Sequence, residues 1–240
     1  MDNHNCGVKP ERKTKEEIEN EAHEILHYYR PDYLSDLSVN MDPYDFIIEF
    51  LPEHIRKTEN RQLEVVFEML DEDLAGYTQY GKVALNKTKF DSNNEVYQRM
   101  MNFTIPHEAY HASFHYRYLI PTSQSFLTPF LNTTNKLEKI KTLYRDLHSP
   151  KNTNLFCTQA NYFAGCFTIP KNRLIKALLE VYGKSCIASR DNFDFNCKIL
   201  KIAKQLQGFF DMNLEPIKIA LEQYGLVKFN ENEEESYICD

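Results

Sequence analysis

The segment His107-Glu108-Ala109-Tyr110-His111 constrains the fold more than any other, because it places His-Glu-x-x-His in a stretch predicted to be helical. Residues four apart in a helix project from the same face, so His107 and His111 can occupy two corners of a tetrahedral zinc site. Glu108 then lies beside the metal, where a carboxylate can take a proton from water and pass it to a leaving amine. The motif therefore predicts a buried metal helix with the chemistry of a zinc peptidase.

The composition limits the classes of function that the chain can have. At 240 residues it can bury one sizeable core, with or without a small appendage. The formal net charge is −7, so no global positive field exists that would hold nucleic acid or an anionic membrane. Neither a G-x-G-x-x-G nor a P-loop sequence occurs. We therefore expect no direct binding to nucleic acid, no membrane association and no nucleotide-binding loop of these types.

The cysteines and the ends of the chain predict a cytoplasmic protein. The six cysteines are irregularly scattered, which favours reduced thiols over a disulfide framework. The first residues lack the charged start and apolar stretch of an export signal, and no apolar stretch approaches the roughly 18 residues of a membrane helix. Residues 1–12 are predicted to be disordered, and residues 229–240 form a predicted acidic tail.

The part of the chain before the motif is predicted to contain two helices and a small sheet. Thr14 is a helix N-cap that predicts a helix to about Arg30, and Asp42-Pro43 predicts a second helix that ends near Leu51. Three strands, expected to pair as a small antiparallel sheet that packs on the metal helix, follow at 63–70, 75–80 and 82–86.

An edge strand beside a metal helix can align a peptide substrate by backbone pairing. Residues 77–80 and 83–86 are the candidates for this role. The alternative is that these strands only cover one face of the helix, and the sequence leaves both interpretations open.

The helix that carries the motif is predicted to run from residue 93 or 94 past residue 116. Pro106 is expected to kink or restart it, since proline removes an intrahelical hydrogen bond. His115 follows His111 by four residues and so continues the same face. It is either a second partner of the site or a packed histidine, and packing is the interpretation we favour.

Beyond the motif the chain is predicted to be mostly helical. Residues 121–154 are expected to form a long surface excursion, and residues 185–195 a polar loop. Helices are predicted at about 155–167, 171–182, 197–210 and 214–224. The chain is thus expected to be an α+β protein with a main domain over 13–182, on which a helical pair over 183–228 packs.

Several further blocks accompany the motif in a fixed order. They are Gly81–Asn86 as the strand before the site, Arg99, Phe103–His111, Gln159–Ala164, Ile169-Pro170 and the closing pair of helices. With these blocks the chain resembles the ImmA/IrrE-type metallopeptidase family over most of its length. The resemblance implies a zincin-like fold with Zn²⁺ bound by His107 and His111, and with Glu108 as the general acid and base.

Cys157 is the most informative departure from that family, whose members usually have a glutamate at this position as the third ligand. A thiolate binds zinc well, and a His₂Cys set with one open position stays tetrahedral. We therefore predict that Cys157 is the third ligand. The alternatives are that Cys157 is a small buried residue, with His148 or water as third ligand, or that no stable metal is bound.

Two functions from different classes follow from this site. The leading hypothesis is a zinc metalloendopeptidase that makes a limited cut in a protein partner, with Glu108 as general base. The resemblance implies that the partner is a helix-turn-helix transcriptional repressor, often linked to mobile elements or stress responses and possibly encoded next to it. The alternative is a non-proteolytic regulatory protein that senses metal or redox state on the same fold, which Cys157 supports.

Overall fold

The computed structural model describes residues 11–119, 155–189 and 192–229 of the chain. Within these ranges it is a mixed α+β protein, as the sequence predicts. The predicted surface excursion at 121–154, most of the predicted disordered N-terminus and the predicted tail beyond Phe229 lie outside the described residues. No helix in the described parts combines the length and apolar character needed to cross a membrane.

The first helix, α1, spans Lys15–Tyr29 and confirms the predicted start at Thr14. The Thr14 side chain accepts a hydrogen bond from the Glu17 amide, and the Glu17 carboxylate accepts one from the Thr14 amide at 2.6 Å. This reciprocal capping satisfies amides that would otherwise lack partners at the helix N-terminus. A short 3₁₀ turn at Pro31–Leu34 follows, so the helix ends where proline was expected to stop it.

The second helical segment is longer than predicted. The Asp42 side chain caps it by accepting from the amides of Tyr44 and Asp45, each at 3.0 Å. It consists of α2 at Pro43–Asp45, a π-helical stretch at Phe46–Phe50 and α3 at Leu51–Glu59. The predicted end near Leu51 is wrong because Pro52 lies in the first turn of α3, where proline is tolerated.

The three predicted strands form, but their pairing is mixed. They are β1 at Glu64–Glu68, β2 at Gly76–Gln79 and β3 at Lys82–Asn86, in the spatial order β1-β3-β2. Strands β2 and β3 form an antiparallel hairpin, whereas β1 pairs in parallel with β3. The prediction of an all-antiparallel sheet is therefore wrong.

The side chain of Asn86 accounts for much of this arrangement. Its amide nitrogen donates to the carbonyl oxygens of Leu74 at 2.7 Å and Asp71 at 3.2 Å, and so fastens the β1–β2 connection to the end of β3. With the hairpin on one edge of β3, the other edge is open to β1. Residues 83–86 thus lie in the central strand and offer no free edge to a substrate, while β2 is an edge strand beside the metal helix.

The helix that bears the motif, α5, spans Glu95–Phe114 and is preceded by the short helix α4 at Lys87–Phe90. The Asn94 side chain caps α5 by accepting from the Val96 amide at 2.9 Å. The helix continues through Pro106, so the expected restart does not occur. It ends at Phe114 rather than beyond residue 116, and one further helical turn, α6, spans Tyr116–Leu119.

The C-terminal part contains four helices and a small second sheet. Helices α7 at Leu155–Thr168 and α8 at Lys171–Tyr182 confirm their predictions, and Gly183 ends α8 in the left-handed conformation. Helices α9 at Asn192–Leu206 and α10 at Leu214–Gln223 form the closing pair. The predicted loop at 185–195 is wrong, because β4 at Ile187–Ser189 pairs in parallel with β5 at Val227–Phe229 and α9 begins at Asn192.

Two hydrophobic clusters form the core. The first contains buried residues of α1, α3, β3, α5 and α7, and the second contains residues of α8, α9 and α10. The metal helix α5 packs against α7 and α1 within the first cluster. This packing brings the polar residues of α5 next to those of α7, which are far from them in sequence.

Candidate metal centre

The candidate site lies between α5 and α7. Helix α5 supplies His107, Glu108 and His111, and α7 supplies Cys157 from its first turn. One ligand atom from each of His107, His111 and Cys157 lies within 4.8 Å of the other two. The structure therefore brings together the three residues that the sequence predicts as metal ligands, and this group could hold a metal ion.

The two histidines meet in a geometry that suits a metal. Their Nε2 atoms lie 3.2 Å apart. Two nitrogens bound to one tetrahedral zinc lie about 3.3 Å apart, and a nitrogen and a thiolate sulfur about 3.6 Å apart, given usual zinc–ligand distances. The histidine pair already has the first spacing, and a small movement of the Cys157 side chain would give the second. The donor set therefore fits a zinc ion with one open coordination position.

His107 is held by a partner on its other ring nitrogen. Its Nδ1 atom lies 2.9 Å from Oδ1 of Asn161, which α7 places one helical turn beyond Cys157. Burial lowers the pKa of His107 to about 4, because a charged imidazolium loses its hydration there. The imidazole is therefore neutral near pH 7, as a metal ligand must be.

His111 contacts a third histidine of the same helix face. Its Nδ1 atom lies 2.9 Å from Nδ1 of His115, and Nε2 of His115 lies 2.9 Å from Oε1 of Gln159. Burial is the main cause that lowers the pKa of His111 well below its usual value and that of His115 to about 4. His115 also packs against the rings of Tyr110 and Phe156. It is thus both packed, as we favoured, and a direct partner of His111.

The Cys157 thiol is buried, and burial raises its pKa to about 12, with a smaller contribution from the negative charge of Glu108. Without a metal, the thiol is therefore protonated near pH 7. A bound divalent cation reverses this balance, because a coordinating thiol loses its proton.

Glu108 is fully buried beneath strand β2. Its Oε2 atom accepts a hydrogen bond from the Thr78 hydroxyl at 2.7 Å. Gly76 allows this close approach of strand and helix, since a Cβ atom at that position would lie 3.0 Å from the Ala84 carbonyl oxygen and 3.4 Å from Cγ of Glu108. The carboxylate of the motif is therefore oriented by the edge strand.

The sequence analysis missed Thr78, Gln159 and Asn161 as residues of the site. Gln159 and Asn161 are polar residues in the otherwise apolar helix α7, which is a signal that could have identified them. Thr78 carries no such signal, because an alternating polar residue is ordinary in a strand. Among the weaker candidates for stabilising a charged intermediate, Tyr77 donates instead to Glu68 at 2.9 Å, and His148 lies outside the described residues.

Comparison of the chain with protein-family models, with curated proteins and with solved structures gave no match. The interpretation of the site therefore depends on its own geometry and chemistry.

Proposed function

We propose that the protein is a zinc metalloendopeptidase with a zincin-like fold of the ImmA/IrrE type. The observation that carries the proposal is the convergence of two histidines and a cysteine beside a buried glutamate. His107, His111 and Cys157 meet at metal-ligand distances, and Glu108 lies next to His107 in the same helix. Ligands alone would equally suit a structural metal, so the adjacent carboxylate supports a hydrolytic site.

The residues divide the work as follows. A zinc ion, when bound, supplies a Lewis acid that lowers the pKa of a water molecule and polarises a peptide carbonyl. The Glu108 carboxylate accepts the proton of the attacking water while the water oxygen forms a bond to the carbonyl carbon. Glu108 then donates this proton to the amide nitrogen as the C–N bond breaks. Thr78 orients the carboxylate for both transfers through its 2.7 Å hydrogen bond.

We further propose that the substrate is a protein and that the cut is limited, with a helix-turn-helix repressor encoded next to the protein as the partner, in the cytoplasm. The sequence resemblance supports this choice. The negative net charge of the chain supports action through a protein partner rather than on DNA directly.

The test uses the zinc-loaded full chain with the neighbouring repressor as substrate. Glu108→Gln keeps the size of the side chain but removes the base, so we expect cleavage to fall by about 10²–10⁴-fold while zinc stays bound. Glu95→Gln is the matched control, because Glu95 lies in the same helix with an exposed side chain, and it should cleave like the wild type. Equal cleavage by Glu108→Gln and wild type would contradict the proposed role.

Cys157 favours a second candidate function, a regulator that binds its partner without cutting it and responds to metal or redox state. A thiolate donates more electron density than a carboxylate and so weakens the Lewis acidity of the metal, and it can be oxidised. A stable complex of zinc-loaded wild type with intact repressor, broken by a thiol oxidant, would favour this function. Cleavage that increases in Cys157→Glu would instead favour the peptidase.

A further inference from the structure

We infer that His115, Gln159 and Asn161 are positioning residues that hold a proton on Nδ1 of both metal-ligand histidines and so direct each Nε2 atom to the metal. The inference rests on the metal site of the proposed function. It adds to that proposal a defined hydrogen-bond direction for each ligand, which none of the sequence patterns indicated.

The direction of the hydrogen bonds at His111 follows from the far end of the chain of contacts. The backbone carbonyl of Glu11 can only accept, so the Gln159 amide nitrogen, 2.9 Å away, must donate to it. Gln159 therefore presents its oxygen to Nε2 of His115, which must donate. A neutral His115 then has a lone pair on Nδ1 and accepts from Nδ1–H of His111. The remaining lone pair of His111 is on Nε2.

The end of this chain is itself held in place. The Glu11 amide donates to the Tyr118 hydroxyl at 3.1 Å, and the Glu11 carboxylate accepts from Arg117 at 2.9 Å. Gln159 is buried, so water does not compete freely for its amide group. The orientation of Gln159, and with it the direction of the hydrogen bonds, is therefore built into the packing of the N-terminal segment on α6 and α7.

Asn161 has the corresponding role at His107. Its Oδ1 atom lies 2.9 Å from Nδ1 of His107 and accepts from Nδ1–H, which leaves the lone pair on Nε2. The two Nε2 lone pairs then face each other across 3.2 Å. Two acceptors at this distance repel unless a cation lies between them. The hydrogen bonds around the pair therefore prepare a cation site, which packing alone would not require.

A crossed pair of substitutions at His115 separates positioning from packing. His115→Phe keeps an aromatic ring of similar size but cannot accept from His111. His115→Asn loses most of the ring but keeps an amide oxygen near the position of Nδ1. If His115 positions the ligand, we expect zinc affinity to fall about 10–100-fold in His115→Phe and much less in His115→Asn. If His115 only fills space, the order is reversed.

The same comparison applies at the other ligand. Asn161→Leu keeps a similar volume without an acceptor and should lower zinc affinity about 10–100-fold, whereas Asn161→Asp keeps an oxygen acceptor and should bind zinc at least as well as the wild type. His54→Phe is the control, because His54 lies on α3 and stacks on Phe50 away from the site. It should bind zinc like the wild type.

The measurements are zinc affinity by chelator competition and the ¹⁵N shifts of the histidines in the zinc-loaded full chain. The shifts should show protonated Nδ1 and zinc-bound Nε2 at both His107 and His111, a signature that a packing role would not require. Wild-type affinity in His115→Phe and Asn161→Leu, or zinc bound through Nδ1, would overturn the inference. If these results are as expected but Glu108→Gln still cleaves, the proposed function fails and the inference stands; if the wild type binds no zinc, both fail.

Discussion

At the scale of single residues, the Cys157 thiol is set to bind metal at the expense of a proton. Burial and the nearby Glu108 raise its pKa to about 12, while burial lowers that of His107 to about 4. Between these values the metal-free site has neutral imidazoles and a protonated thiol. Zinc binding must therefore displace one proton, from Cys157, over the whole range.

We predict that zinc affinity rises about tenfold per pH unit between about pH 6 and 9, because one proton is displaced for each ion bound. The sign follows from the raised pKa of the thiol: below about 12 the proton competes with zinc, so acid weakens binding. Chelator competition at several pH values measures the slope. Cys157→Ser should bind more weakly and with little dependence on pH, and a wild-type slope in this variant would exclude the thiol as a ligand.

The residues of the site differ in how far the sequence could predict them. His107, Glu108 and His111 lie within one and a half helical turns, so local geometry alone predicted that they share a site. Cys157 was predicted only through its place in a second block of sequence. Thr78 and the direction of the contacts from Gln159 depend on how β2 and residue 11 pack against the helices, and no local pattern contains that information.

At the scale of secondary-structure elements, Arg173 of α8 joins segments that are distant in sequence. Its guanidinium group is buried and donates to the carbonyl oxygens of Tyr33, Asp36, Leu37, Val39 and Phe209. It also stacks on the Tyr33 ring at 4.0 Å. These contacts satisfy carbonyls of an irregular stretch that has few backbone partners of its own, and they connect it to the second hydrophobic cluster.

We predict that Arg173→Met lowers the free energy of unfolding by about 3 kcal/mol or more, because several buried carbonyls lose charged donors. Arg173→Lys should be intermediate, since an ammonium group cannot reach all of them. Urea unfolding of the metal-free protein measures the change. Arg56→Met is the matched control, because Arg56 pairs with Glu53 on the surface, and it should be nearly neutral. Equal effects of the two substitutions would contradict the role of Arg173.

The elements that sequence could not predict are those defined by pairing between distant segments. The capping residues Thr14 and Asp42 gave correct helix starts, because a cap acts within a few residues. The parallel pairing of β1 with β3 depends on the contacts of Asn86 with the β1–β2 connection. Strands β4 and β5 have three residues each, too few to show the alternation by which a strand is recognised.

At the scale of the whole molecule, the candidate metal centre joins two helices that are distant along the chain. Helix α5 supplies two ligands and α7 the third, and both helices belong to the first hydrophobic cluster. In an unfolded chain these ligands are far apart and bind zinc weakly as a set. A metal that binds the folded state preferentially must stabilise it.

We therefore predict that zinc raises the free energy of unfolding by about 2.7 kcal/mol when its free concentration is 100 times the dissociation constant. Thermal unfolding with zinc and with excess chelator measures the difference. His107→Ala is the control, since it loses a ligand and should respond little to zinc. The same zinc-induced shift in His107→Ala would mean that the metal binds elsewhere. Because α7 also contacts α10, the shift should appear in one cooperative transition that includes the second cluster rather than in the first cluster alone.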